Sequence, residues 1–419
     1  MIEISPFKAL RPTPESISYV NSPPYDVVGQ NEAAQVISEN PDSFLKVVKP
    51  EAIIPSGKKI AYTQLAKIAA KNLKSMIDRK VMMIEQEPCF YVYQQIDGSY
   101  QRTGLVACLS IMDYQKGLIR KHEKIRIKPW KERVQHIKIT RAHTGCPLIF
   151  FKDDEMIEII INRAKVVQNA IYDFISDDGV RNRCWKINQE DMMASLGKAF
   201  IEIENVYIAD GHHRVAAAAE VARLEDQAQK SSRKGNRLSE EYFYFPALLV
   251  PHNQIRILGY HRLVKIHSGF SPNLFLQKLK KDFMIEKITP NQSFLPSKKH
   301  EFGMNLNQQW YRLFLKESNS ILSDDFVDHL DVAILQNQVL FPLLDIVDPQ
   351  KSKRIGFIGG QNSLSILDQE IKNGSKIAFT LYPTTANEVM EISDHNEIMP
   401  PKSTWFDPKV RSGIFVHQF

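Results

Sequence analysis

Cysteine is scarce. The 419 residues hold four, Cys89, Cys108, Cys146 and Cys184, and no two form a Cys-x-x-Cys pair. That excludes a disulfide framework and a zinc site built from clustered thiolates. Buried free thiols in a reducing compartment are the expectation. Long hydrophobic runs are also missing, since none approaches the roughly 20 apolar residues that span a bilayer. The start, Met1-Ile2-Glu3-Ile4-Ser5-Pro6, lacks the basic and then apolar pattern of a signal peptide. A cytoplasmic location without a membrane partner is therefore expected. The common nucleotide and hydrolase motifs are absent too: no Walker-type P-loop, no Gly-x-Gly-x-x-Gly, no Gly-x-Ser-x-Gly and no His-Glu-x-x-His. Any phosphate site must be of a less common type. Charge of one sign is in small excess, +6. It suits an anionic ligand, but dedicated nucleic-acid binders add a basic stripe and a reading motif. The one short basic run, from Lys230 to Arg237, reads as a solvated surface, and nucleic acid is not expected as a partner.

What is present is a globular balance, 43% hydrophobic and 24% charged, enough for an ordinary core. Helical spacing of apolar residues predicts a helix over 60–79. Strand-like runs at 90–96 and 103–110 flank Asp97-Gly98, a hairpin signal. A polar block of both charges covers 120–144. Further strands are predicted at 147–151, 206–209, 242–250 and 255–259, with helices near 154–165 and 213–223. Beyond 262 come a helix near 272–283, a hairpin at 302–306 and 310–315, helices near 327–346 and an apolar strand from Ala378 to Pro383. Strands and helices mix without regular βαβ alternation, which argues for an α+β fold. The expected division is a phosphate-binding core over 1–260 and a C-terminal α+β region over 261–419.

Three segments carry candidate chemistry. The first is strand, Asp210-Gly211-His212-His213-Arg214, then an alanine-rich helix. Glycine permits a tight turn and close approach to a ligand. The helix start aims free N–H groups and a positive dipole end at that turn, which makes an anion site. Arg214 adds a planar fork that matches phosphate oxygens. The histidines can donate hydrogen bonds or move a proton near neutral pH. The bland alternative is a turn capped by Asp210 with histidines packed locally. The second segment is His122-Glu123-Lys124-Ile125-Arg126, followed by Arg133 and His136. It offers cations for a polyphosphate and Glu123 as a base or, with His122, a ligand for a divalent ion, although such blocks are often solvated helices. The third is the tail Pro400-Pro401-Lys402-Ser403-Thr404-Trp405-Phe406 with Lys409 and Arg411, either a binding segment or a clasp. Near the start, Pro23-Pro24 hold the chain extended before Tyr25 and Asp26.

These segments together resemble the bacterial family catalogued as domain of unknown function 1015. The resemblance rests on Pro6-Phe7-Lys8-Ala9-Leu10-Arg11-Pro12, Pro23-Pro24-Tyr25-Asp26-Val27, His122-Glu123-Lys124, Tyr207-Ile208-Ala209-Asp210-Gly211-His212-His213-Arg214, Leu330-Asp331-Val332-Ala333-Ile334-Leu335 and the tail from Pro400 to Gly413. It covers nearly the whole chain. The Asp-Gly-His-His-Arg box is similar to the phosphate-binding turn of the ParB/sulfiredoxin-like superfamily, which includes free-serine kinases and CTP-binding ParB proteins. The resemblance implies a ParB/sulfiredoxin-like nucleotide-binding core. The sequence departs from the family pattern at Ile125, Lys131, Arg141 and His143.

Two functions follow. The first is a nucleotide-dependent phosphotransferase acting on a small hydroxyl compound, with free L-serine as lead candidate. ADP or ATP would be held by Asp210, Gly211, His212, His213, Arg214, His122, Arg126 and Arg133. Asp26, Glu123 and His213 are the candidate catalytic groups. Tyr25, Lys402, Ser403, Thr404 and Arg411 are the candidate substrate contacts. Magnesium would neutralise charge on the transferring group, and no protein metal ligand is assigned. The second is a ParB-like nucleotide-binding regulatory or DNA-associated module without catalysis, which would need a helix-turn-helix or basic recognition face that the sequence does not show.

Overall fold

A computed structural model describes residues 1–55, 60–231, 240–316, 323, 325–372, 374 and 376–419. Most of the basic run at 230–237 lies outside them. The chain forms two compact units, Met1–Ile255 with Pro408–Phe419, and Arg256–Asp407.

The first unit is built on a nine-stranded sheet of β1 (Ile4–Ser5), β2 (Phe90–Asp97), β3 (Tyr100–Ser110), β4 (Ile119–Arg120), β5 (Leu148–Phe151), β6 (Tyr172–Ile175), β7 (Arg181–Ile187), β8 (Val206–Asp210) and β9 (Tyr244–Pro251). The order is β4-β8-β5-β9-β3-β2-β7-β6, with β1 also on β3. The pairs β8–β4 and β9–β5 are parallel and the others antiparallel, so the sheet is mixed. The Asp97-Gly98 signal becomes the β2–β3 hairpin: Asp97 pairs with Tyr100, and Gly98 takes φ +57°.

Five helices of this unit matter for the site or the core: α1 (Tyr62–Asp78), α2 (Ile127–Thr140), α3 (Glu155–Val167), α4 (Glu190–Ile201) and α5 (His212–Ser231). Alternate residues of β3, Leu105, Ala107 and Leu109, share one face of the sheet. They join Ile149, Phe151 and Trp185 in a core with Ile157 and Ile161 of α3, Leu196 and Phe200 of α4, and Val215 and Ala218 of α5. Burying each such aliphatic or aromatic side chain stabilises by about 1.5–3 kcal/mol. A second core gathers Leu10, Val20, Phe44, Leu73, Met76 and Val416. Between α2 and α5, Val134 and Ile137 meet Ala217 and Val221. The segment read as a polar block thus contains a helix with a buried face.

The tail Pro408–Phe419 is stitched into this unit. Arg102, 1% exposed, donates to Pro408 O at 2.5 Å, and Gln95 Nε2 donates to Lys409 O at 3.1 Å. Ser412 bridges Ser22, and His417–Gln418 pairs with Ala142–His143. The tail read as one segment from Pro400 divides: it belongs to the second unit through Asp407 and to the first from Pro408.

The second unit carries a six-stranded antiparallel sheet of β10 (His261–Lys265), β11 (Phe283–Lys287), β12 (Glu301–Leu306), β13 (Gln309–Leu315), β14 (Ile355–Ile358) and β15 (Lys376–Leu381), in the order β11-β13-β12-β15-β10-β14. The helix expected near 272–283 ends at Leu279, because β11 begins at Phe283. All four cysteines are free and buried. Among the described residues no helix is long and apolar enough to cross a membrane.

Candidate functional site

Strand β8 ends at Asp210, and the chain turns at Gly211 with φ +96°. A Cβ there would lie 3.0 Å from Pro147 Cβ and 3.1 Å from its Cα, so a larger residue meets both strain and contact. Gly211 O accepts from Arg214 N at 2.8 Å and Val215 N at 3.1 Å, which starts α5. The N–H groups of His212 and His213 have no partner four residues back within the helix. They are the helix end that favours an anion.

Two segments close on this turn. From the first come His122 and Arg126, between β4 and α2. The His122 N–H points at His212 Nε2 at 3.5 Å, and the Arg126 N–H donates to His213 Nε2 at 3.0 Å. Both histidines accept at Nε2, so in the neutral form each carries its proton on Nδ1. His212 Nδ1 then faces Glu123 Oε2 at 3.5 Å. The His122 and His212 rings meet edge to face with centroids 4.5 Å apart. Burial holds His122 down to about 4, against a pull from Asp210 in the other direction. Burial, then neighbouring His122, holds His212 well below its ordinary value. Burial and then Arg126 lower His213, with Asp26 opposing. All three are neutral near pH 7 and act as fixed dipoles.

From the second segment come Tyr25 and Asp26. Lys49 Nζ donates to Tyr25 O at 2.9 Å and Val28 O at 2.6 Å, which fixes the loop. The Tyr25 ring lies 4.1 Å from the Arg133 guanidinium carbon and 5.3 Å from that of Arg214. Such contacts are each worth about 0.5–2 kcal/mol. Arg214 Nη1 donates to Cys146 O at 3.3 Å, and Arg133 Nη2 to Val48 O at 3.3 Å. Burial works against the Arg214 charge, but Asp26, then Tyr25 and Asp210, outweigh it and raise its pKa.

Lys409, named in the sequence only as part of the tail segment, reaches the turn. Its Nζ donates to Asp210 Oδ2 at 2.9 Å. Burial pushes the Asp210 carboxyl up, but Lys409, Arg214 and His212 win and bring it to about 2. The local sequence held no signal for this pair beyond a basic residue in the tail, 199 positions away.

The structure therefore gathers Tyr25, Asp26, His122, Glu123, Arg126, Arg133, Asp210, Gly211, His212, His213 and Arg214 in one unit, linked by the contacts above. Arg411 is in the same unit but is engaged elsewhere. Its guanidinium meets Asp177 at 2.6 Å, Asp178 at 3.5 Å and Asn21 Oδ1 at 3.0 Å. Lys402, Ser403 and Thr404 belong to the second unit. There Lys402 Nζ lies 5.3 Å from the Tyr260 ring centroid, and Ser403 Oγ donates to Pro400 O at 2.6 Å. Among the described residues no group of three or more His, Cys, Asp or Glu is placed to hold a metal ion.

Two cavities adjoin the site. One, with about 20 Å³ of water-accessible space, is lined by Tyr25, Arg133, His143, Thr144, Gly145, Arg214 and Ser412 among others. The other, of about 210 Å³, shares Tyr25 and Arg133 and adds Pro50, Glu51, Tyr62, Leu65, Ala66, Lys128, Glu132 and His136.

Among solved structures the chain is similar to a mutant free serine kinase in complex with AMP, at 12% identity over 76% of this chain and 95% of that one, with a TM-score of 0.37. It is similar to SbnI with a C-terminal truncation from Staphylococcus aureus, at 10% identity over 72% of this chain and 82% of that one, with a TM-score of 0.36. A conserved hypothetical protein from Pyrococcus furiosus gives 12% identity over 74% and 94%, with a TM-score of 0.35. No curated protein matches the chain. The sequence model of the family described as protein of unknown function, DUF1015, matches residues 4–333, and the chain belongs to that family.

Proposed function

We propose that the chain is a nucleotide-dependent phosphotransferase acting on a small hydroxyl compound, free L-serine first among the candidates, on a ParB/sulfiredoxin-like core in the first unit. The observation that carries this reading is the convergence of Asp26, Arg133 and Arg214 on Tyr25, beside the glycine turn that opens α5. Phosphoryl transfer asks a protein for positioning and for cations around the moving charge, and little else. In this reading the N–H groups of His212 and His213 and the Arg214 fork hold the phosphates of ADP or ATP. In this reading the base enters the cavity that has Tyr25 and Tyr62 on its walls. Asp26, exposed and facing Arg214, takes the proton from the acceptor hydroxyl as its oxygen bonds to phosphorus and the phosphorus–oxygen bond to the nucleotide breaks. Glu123 serves by holding the His212 Nδ1 proton. Magnesium is commonly bound by one or two carboxylates together with substrate phosphates. Bound with the nucleotide, the ion would neutralise phosphate charge. Four buried free thiols fit a reducing compartment, the cytoplasm.

The test is phosphoserine formation from free L-serine with magnesium and ADP, ATP or CTP in turn, comparing the native protein with Arg214→Ala. Product from the native chain that the variant loses supports the reading. Tight nucleotide binding without turnover moves it to another acceptor or to a nucleotide-binding module. Absence of binding to every nucleotide refutes the phosphate site.

A further inference from the structure

The cavity behind Arg214 has features that phosphate binding does not use. Its walls bring together Tyr25, Arg133, His143, Gly145, Arg214 and Ser412. Ser412 Oγ and His143 Nε2 have no hydrogen-bond partner among the described residues, although Ser412 is 1% exposed and His143 5%. A buried polar atom left without a partner costs about 1–3 kcal/mol, so its retention calls for an explanation. Gly145 supplies a second, independent observation. A Cβ on Gly145 would sit 3.3 Å from Arg214 Nη1 and 3.6 Å from Ser412 Oγ. A guanidinium N–H group and a hydroxyl therefore converge on one small space that the missing side chain leaves open. Arg133 and Arg214 each give one N–H to a backbone carbonyl, Val48 O and Cys146 O, and each guanidinium has five.

The chemistry of the walls selects a ligand. Two guanidinium groups and a hydroxyl face an oxyanion. His143 is neutral, because burial holds it well below its ordinary value, and its backbone bond to Tyr244 favours the charged form and so is donated by the ring. The ring nitrogen left over is Nε2, a lone pair that accepts a hydrogen bond. An anion that also carries an O–H or N–H donor matches both. About 20 Å³ of water-accessible space takes one or two oxygen-sized groups, given that a single water needs about 10–15 Å³. The two oxygens of a carboxylate match that space.

We propose that this cavity is the acceptor subsite and receives the carboxylate of a small hydroxy or hydroxy-amino acid, against Arg133, Arg214 and Ser412 at the Gly145 cradle. The inference rests on the phosphotransferase reading for the word acceptor. The pocket itself is tested without turnover. On that basis the substrate class narrows from small hydroxyl compounds to those with a carboxylate, and Arg214 stands between the two anions, with phosphate on its α5 side and carboxylate on its Gly145 side.

The experiment is calorimetric titration of L-serine and glycolate, and of their carboxylate-free analogues serinol and ethylene glycol, into the native protein with and without ADP. Gly145→Ala fills the cradle, and Gly145 does not have a positive φ, so alanine adds no backbone strain. Ser412→Ala removes only the hydroxyl and guards against a folding defect in the first variant, with thermal unfolding recorded for both. Loss of hydrogen bonds to a charged group costs about 1.5–3 kcal/mol. Serine and glycolate should therefore bind at least about tenfold more weakly to Gly145→Ala, and more weakly to Ser412→Ala, in which ADP affinity holds. Serinol binding as tightly as serine overturns the proposal, as does unchanged serine affinity in Gly145→Ala or no carboxylate binding by the native chain. Carboxylate binding that Gly145→Ala abolishes, in a protein that binds no nucleotide, keeps the pocket and refutes the phosphate reading. Nucleotide binding without carboxylate binding does the reverse.

Discussion

Replacing Lys409 by methionine removes one charge from the site and keeps most of the side chain's bulk. In the native structure Lys409 Nζ lies 2.9 Å from Asp210 Oδ2, and the carboxyl is held at about 2. An unfolded aspartate titrates near 3.9, so the shift is worth at most about 2–3 kcal/mol at about 1.4 kcal/mol per unit. The Asp210 side chain is 34% exposed, and Arg214 and His212 share the effect, so screening leaves about 1 kcal/mol for Lys409. The sign follows from the depressed folded pKa. The stabilisation is complete above about pH 4 and disappears as pH falls through about 2, with about half gone at pH 3. Urea unfolding of the first unit should therefore show Lys409→Met less stable by about 1 kcal/mol at pH 7, with a clearly smaller difference at pH 3. In an Asp210→Asn background the same substitution should cost almost nothing. An equal loss at both pH values, or an equal loss in that background, would show that Lys409 acts through packing and not through the carboxylate.

Arg214→Lys should weaken ADP binding at least about tenfold by calorimetry, because a point charge cannot reproduce the planar fork; native affinity in this variant would remove Arg214 from the phosphate site. Gly211→Ala forces a β-carbon into a left-handed turn and within 3.1 Å of Pro147, so thermal unfolding should report a loss of about 1–3 kcal/mol; an unchanged midpoint would contradict the contact. Burial holds His122 at about 4 while an unfolded histidine titrates near 6.5. The unfolded chain then takes the proton first, so stability falls as pH drops from about 6.5 towards 4. His122→Leu should flatten that slope in urea unfolding, and an unaltered slope would place the proton uptake elsewhere.

The turn at Gly211 was readable because its determinants are local. An apolar strand, an acidic residue, a glycine and an alanine-rich helix follow one another, and each favours the same turn. The Asp97-Gly98 hairpin was readable for the same reason. The predicted helix from 213 to 223 runs on to Ser231, where alanines give way to charged residues that a solvated helix carries without penalty. Strands β6 and β7 and helix α4 went unassigned between 172 and 201. The sequence of β7, Arg181 to Ile187, mixes charged and buried positions that only its partners β2 and β6 explain. Arg411 reads in the sequence as a candidate substrate contact. In the fold its charge meets Asp177 and Asp178, more than 200 positions earlier in the chain. The departures at Arg141 and His143 have structural employment. Arg141 ends α2 with φ +52°, pairs with Glu225 at 2.6 Å and lies over the Phe419 ring, and His143 stacks on His417. No local pattern could have shown these, because each partner arrives from a distant segment.

The pairing of Lys409 with Asp210 bears on what Arg214 is free to do. Three carboxylates stand by the turn, Asp26, Glu123 and Asp210, and each attracts a neighbouring cation. With Lys409 bonded to Asp210, the largest attraction on the Arg214 charge comes from Asp26, with Tyr25 next and Asp210 third. Asp26 is exposed on a loop, so a ligand anion can compete with it for the guanidinium without entering the core. Glu123 is meanwhile directed to His212. The loop with Tyr25 and Asp26 is itself held from the tail, through Ser22 and Ser412, and by Lys49. The return of Pro408–Phe419 to the first unit therefore does two things at once. It supplies the cation that pairs with Asp210, and it fixes the loop that carries Asp26. Without Lys409 the Asp210 carboxylate would keep only the weaker attraction of Arg214 and His212.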